Sequence, residues 1–250
     1  MMIIKSDSEI RLMRKAGAIA AGALAAAGEA IRPGMSTKEL DRVVERYIRS
    51  HGAIPSFKGY GGFPGSACIS INQVVIHGIP SEQILIKDGD IVSVDVGAYI
   101  DGFHGDTANT FPVGAVSPEA LRLIEVTRES LNRAQQLLRA GVRLGDIGHC
   151  IEAFVEEHGY TPVKDFVGHG VGRALHEDPS VPNYGRAGHG LRLPKGATVA
   201  IEPMINQGTD RVQISKADGW TVTTADGKLS AHYEHTFFID ETCGHILTQV

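Results

Sequence analysis

A chain of 250 residues, 42% hydrophobic and 21% charged, has the composition of a folded globular protein and can bury a sizeable core. A formal net charge of −5, with lysines and arginines spread along the chain, argues against nucleic-acid binding through a basic face. No apolar run is long enough to cross a bilayer and the N-terminus lacks a signal peptide's apolar core. Three widely spaced cysteines (Cys68, Cys150, Cys243) read as free thiols of a reducing cytosol.

Ser6 followed by Glu9 is a capping-box pattern that predicts a helix to about Ala30, ended by Pro33-Gly34. Ser36 and Glu39 repeat the signal for a helix to about Ser50. A Gly- and aromatic-rich loop, PSFKGYGGFPGSA, leads into a strand, CISIN, and then VVIHGIP. A hairpin is predicted next, with arms 91–97 and 104–111 turning at Asp101-Gly102. A two-residue turn there sets Ile100 opposite Phe103 and Asp95 opposite Ala108. Asp106 is then the diagonal neighbour of Asp95 on the same face, roughly 7–8 Å away at the backbone. In the second half, Ser117-Pro118-Glu119 starts a helix to about Arg139 that Gly141 stops, and a further helix covers about 144–158. Short strands and turns fill 166–250. Each half reads as two helices followed by β structure. The prediction is one α+β domain over residues 1–250 with pseudo-two-fold halves, although the halves share no evident sequence identity.

Five metal-ligand-type residues lie in apolar, strand-like settings: Asp95, Asp106, His169, Glu202 and Glu234. An ionised carboxylate among apolar neighbours is costly unless something pairs with it. Taken singly, each has a plainer reading. A strand Asp can be a turn or edge residue, His169 in VGHGVG a structural histidine, and Glu202 or Glu234 half of a surface ion pair. Four carboxylates and one imidazole with no evident Lys or Arg beside them call instead for a cation. Closed zinc sites favour sulfur and nitrogen. This oxygen-rich set suits a pair of divalent ions such as Mn²⁺, Fe²⁺ or Co²⁺, and Zn²⁺ also fits. A metal-dependent hydrolase is the expectation.

The stretches CISINQVVIHGIP, VSVDVGAYIDGFHGDTANTF, GHGVGRALHEDP, AIEPM and SAHYEHT follow one another over nearly the whole chain. Together they resemble the type I methionine aminopeptidases of the short bacterial kind, in the pita-bread metallopeptidase family. The resemblance implies an antiparallel sheet covered by helices and two divalent metal ions. Asp95 would chelate one metal, Asp106 and Glu234 would bridge both, and His169 and Glu202 would complete the coordination of the second metal. Glu202 would also shuttle a proton. His176 would hydrogen-bond the scissile carbonyl, and His77 would contact the nitrogen side of the scissile peptide. On the residues alone these two are lone histidines in Gly- or acid-rich loops. Tyr60, Phe63, Cys68 and Trp220 match the lining of a pocket for a methionine side chain, whose flexible thioether suits rings and sulfur. Without the resemblance Cys68 would be ordinary core. Phe57 and Leu175 stand where bacterial relatives often carry Cys and Phe, so the pocket rim differs. The resemblance also implies a monovalent cation held by carbonyls near Asn72, Val74 and Ser230.

The implied activity is removal of the N-terminal methionine from nascent polypeptides and peptides whose second residue is small. The expected setting is the cytoplasm, with the chain a monomer, any ribosome association transient, and no nucleic-acid or membrane partner. This chain's own Met1-Met2 start implies that Met1 is retained. The nearest rival is an Xaa-Pro aminopeptidase-like metallopeptidase of the same fold, which would generally carry an extra N-terminal domain. A non-catalytic binding protein on this fold would be expected to lose metal ligands, and all five are present.

Overall fold

The computed structural model describes residues 2–250; Met1, and with it the expectation that Met1 is retained, lies outside the described residues. Helix α1 (Asp7–Ala30) and helix α2 (Thr37–Ser50) both open on the predicted capping boxes. In each, the N-cap serine accepts from the N3 backbone N–H while the N3 glutamate accepts from the cap's own N–H, a device worth about 1 kcal/mol per cap. Helix α3 (Pro118–Gln135) and helix α4 (Leu144–Glu157) repeat the pair in the second half. Helix α3 stops short of the predicted Arg139. The N–H groups of Gln136, Leu137 and Leu138 bond to the carbonyls of Arg133, Ala134 and Gln135, a tightened turn that ends the helix and buries Leu138.

The large sheet has nine strands, here β1 (Ile54–Pro55), β2 (Ala67–Ile71), β3 (Ile91–Ile100), β4 (Phe103–Pro112), β5 (Gly168–Gly170), β6 (Glu177–Val181), β7 (Thr198–Ile201), β8 (Glu234–Ile239) and β9 (Gly244–Ile246). Its order is β1-β3-β4-β8-β7-β5-β6, with β2 also paired to β3 and β9 to β8, and its ladders are antiparallel. Two three-stranded sheets flank it, one of Thr161–Pro162, Met204–Asn206 and Ser230–His232, the other of Val74–Ile76, Val212–Ile214 and Val222–Thr224.

The hairpin β3–β4 keeps the predicted register, with Ile100 against Phe103 and Asp95 against Ala108, but its arms are longer than 91–97 and 104–111. Asp101 (φ 53°) and Gly102 (φ 84°) are both left-handed, which makes a type I′ turn. Its twist matches that of the strands, so pairing continues right up to the turn.

Each half has its own apolar core between its helices and its share of the sheet. In the first, Ala20, Leu24, Leu40, Val44 and Ile48 of α1 and α2 pack with Val92, Val94, Val96 and Ala98 of β3. In the second, Leu123, Leu131, Ile147 and Ile151 of α3 and α4 pack with Val199, Ile201, Phe237 and Ile239. Helix α1 lies directly on the hairpin, since a Cβ on Gly105 would come within 2.5 Å of the Gly17 nitrogen. Among the described residues no helix is long and apolar enough to cross a membrane.

Candidate metal centre

Sheet register brings the acids together. Ala108 of β4 faces Asp95 on β3 and Glu234 on β8, so Asp95, Ala108 and Glu234 form a row across three strands. Asp106, two residues before Ala108, points to the same face as that row. Ile201, the last residue of β7, pairs with His235; continuing the register by one residue sets Glu202 beside Glu234. His169 lies on β5, whose Gly170 pairs with Val199 of β7. Threonines fix the strand junctions. Thr236 Oγ1 donates to the Asp106 carbonyl at 2.8 Å, and Thr107 Oγ1 donates to the Glu234 carbonyl at 2.8 Å.

Asp106, His169 and Glu234 each offer a ligand atom, and these atoms lie within 4.8 Å of one another. His169 Nε2 is 3.8 Å from Asp106 Oδ2 and 3.6 Å from Glu202 Oε1. Asp95 shares the cavity with all four. Among the described residues no Lys or Arg pairs with these acids, and Asp95 Oδ1, Asp106 Oδ1 and Glu234 Oε1 are buried without a hydrogen-bond partner. Burial, then mutual repulsion, pushes the carboxyls of Asp95, Asp106 and Glu234 well above the usual range, and burial lifts Glu202 to about 8. Burial, with the neighbouring His176, drops His169 to about 4, so its ring is neutral. His169 Nδ1–H donates to the Gly170 carbonyl at 2.9 Å, which leaves the Nε2 lone pair facing two carboxylates. Lone pairs converging from acids and imidazole repel one another unless a cation stands between them. The donor set therefore fits a divalent metal group, with the Gly170 carbonyl fixing the histidine tautomer as outer-shell partners do.

These acids form the floor of a cavity of about 370 Å³, and every residue the sequence singled out for the site lines it. Phe57, Phe63, Cys68 and Leu175 make one buried apolar cluster with Trp220 against it. Tyr60 stands half-exposed at the entrance, and its hydroxyl lies 2.8 Å from His176 Nδ1. The His176 ring lies 4.1 Å from that of His169, tilted by 45°. His77 is left-handed (φ 58°), a strain of about 1–3 kcal/mol for a non-glycine residue, and sits between the edges of Phe166 and Trp220. Cys68 opposes Asp95 across β2–β3, so wall and floor meet at one residue pair. The wall loop is tied to α2. Asp41 Oδ1 accepts the N–H groups of Ser66 (2.6 Å) and Ala67 (3.1 Å), and Lys58 bonds Glu45 at 2.8 Å, holding that carboxyl down at about 2. The carbonyl of Asn72 is used by the Ser230 N–H at 2.9 Å.

The sequence reading passed over His232. Its Nε2 is buried without a hydrogen-bond partner, 3.6 Å from Glu202 Oε2, and burial drops its pKa to about 3. The only signal was proximity, since His232 precedes Glu234 by two residues. A larger groove of about 970 Å³ runs along α3 and α4, away from the acids.

Residues 11–241 match the metallopeptidase family M24, and the chain belongs to that family. It is 53% identical to a methionine aminopeptidase of Clostridium perfringens over 250 residues, the full length of both. A crystal structure of a methionine aminopeptidase from Thermotoga maritima superposes with a TM-score of 0.98 at 46% identity, covering all of both chains. A prolidase from Pyrococcus furiosus shares the pita-bread fold at a TM-score of 0.80 and 26% identity, with all of this chain covering 66% of that one.

Proposed function

We propose that this family M24 chain removes the N-terminal methionine from peptides and nascent polypeptides whose second residue is small. The observation that carries the reading is an acidic, cation-demanding floor and an apolar, sulfur- and ring-lined wall within one cavity. The full-length likeness to methionine aminopeptidases supports it, while the likeness to a prolidase is lower in identity and partial in coverage.

Asp95, Asp106, His169, Glu202 and Glu234 would hold two divalent ions, Mn, Fe, Co or Zn. When bound, these ions supply Lewis acidity and lower the pKa of water for attack on the carbonyl. Glu202, which with metal bound would be ionised, takes up the proton that the attacking water gives up. The Tyr60 hydroxyl donates to His176 Nδ1, which leaves Nε2–H to donate to the scissile carbonyl and to the negative charge that develops there. His77, held rigid by its neighbours, contacts the scissile nitrogen. Phe57, Phe63, Cys68, Leu175 and Trp220 receive the methionine side chain and exclude water. An end of the cavity closed by this wall admits the first residue of a chain and stops an internal one. Residues 1–250 act as one catalytic domain, a cytoplasmic monomer meeting nascent chains, with a monovalent cation near Asn72, Val74 and Ser230 as a supporting site.

The test is hydrolysis of Met-Ala-Ser by metal-stripped protein after adding back each metal, beside an Ala-Pro control. Metal-dependent release of free Met with Ala-Pro untouched is the expected result. Cleavage of Ala-Pro in preference would turn the assignment to the Xaa-Pro class.

A further inference from the structure

The segment ahead of α1 runs behind the cavity wall. The Lys5 backbone N–H donates to the Gly196 carbonyl at 2.9 Å. Its ammonium donates to the Ile3 carbonyl at 3.1 Å and pairs with Glu177; the Lys5 and Glu177 side chains are only 2% and 5% exposed. A buried ion pair does little for stability by itself, because desolvation offsets its attraction. What this pair does is local. The second Glu177 oxygen accepts the Ala174 N–H at 3.2 Å, closing the turn 174–177. Gly172 packs against both partners, for a Cβ there would lie 2.4 Å from Glu177 Oε1 and 2.6 Å from Lys5 Cε. That turn presents two residues to the cavity. Leu175 is part of the apolar wall, and His176 reaches Tyr60 and packs at a tilt against His169.

We infer that Lys5 is a positioning residue for the reaction. Through Glu177 it pins the turn that aims His176 at the scissile carbonyl, an inference that rests on the aminopeptidase reading. Lys5 is not among the residues that line the cavity and lies outside the stretch 11–241 that matches the family. Its partner is 172 residues away in the chain. The role is geometric: a small displacement of a catalytic donor lowers turnover, by up to about a hundredfold for 1 Å.

The experiment uses the full-length, metal-loaded protein and Met-Ala-Ser, with kcat, KM and thermal unfolding measured on K5M, H176A, K5M/H176A and K5M/E177M. K5M is expected to lower kcat about tenfold to a hundredfold with KM changed less than about threefold. H176A should lower kcat at least about fivefold less in the K5M background than in the wild type, because the imidazole is already misplaced there. K5M/E177M carries no orphaned charge, so its Tm should return to near that of the wild type while its kcat stays low. A merely structural lysine would give kcat that recovers with Tm in the double variant, or an H176A effect of equal size in both backgrounds, and either overturns the inference. Failure of the unaltered protein to release Met overturns the aminopeptidase reading itself.

Discussion

The floor and the wall of the cavity are built by different means. The floor stands on paired strands: Asp95, Asp106 and Glu234 are locked by the β3–β4–β8 ladders and by threonine hydrogen bonds across them. Apart from Cys68 on β2, the wall stands on loops, and two of them are held from outside by charged side chains, Asp41 for the 56–66 loop and Glu177 with Lys5 for the 174–177 turn. A ligand set must hold its geometry against strong mutual repulsion, which a hydrogen-bonded sheet does. A side-chain pocket needs only shape, and loops tethered at a few points provide it.

The largest effect that tests this division falls on the floor. Glu202→Ala should leave the fold intact and cut kcat about a thousandfold or more, the upper range for loss of a general base that also holds metal. A variant with kcat near that of the wild type would mean that another group moves the proton.

On the wall, Asp41→Ala strands the Ser66 and Ala67 N–H groups and the Lys38 ammonium 2.7 Å away. Loss of a buried, fully bonded carboxylate should lower stability by about 3 kcal/mol and raise KM for methionyl peptides. Metal affinity measured by calorimetry should hardly change. A parallel fall in metal affinity would show that wall and floor are one mechanical unit, joined where Cys68 faces Asp95.

Smaller still is a pH effect confined to the metal-free floor. Burial raises the folded-state pKa values of all four acids, and lifts Glu202 to about 8, so between pH 7 and 8 the folded protein keeps on Glu202 a proton that the unfolded chain has released. Stability should therefore fall as pH rises through that window, by roughly 1.4 kcal/mol for each retained proton. His77, His169 and His232, with folded values of about 4, 4 and 3, have the opposite slope, but theirs ends near pH 6.5, where the unfolded histidines have also lost their charge. Thermal unfolding of stripped protein at pH 7 and 8 should show the loss, and added Mn²⁺ should abolish it. A flat profile without metal would mean that the carboxyls find partners other than a cation.

Much of the floor was legible in the chain because its logic is local. Asp101-Gly102 fixes a turn, the turn fixes a register, and alternation then puts Asp95 and Asp106 on one face. The capping boxes of α1 and α2 were legible for the same reason. The end of α3 was not, since nothing at residues 136–140 breaks a helix in the sequence and it is the burial of Leu138 that turns the chain. Nothing in the sequence singles out Lys5 or Asp41. Their partners come from Glu177 and the 66–67 backbone, and only the tertiary fold brings them together.

Strand β8 lies between β4 of the first half and β7 of the second, and it carries Glu234. In chain order it comes after the segments bearing the other four candidate ligands. A ribosome therefore makes nearly the whole scaffold before the residue that joins its halves emerges. The complete set of five candidate ligands therefore exists only once the C-terminal segment has been made.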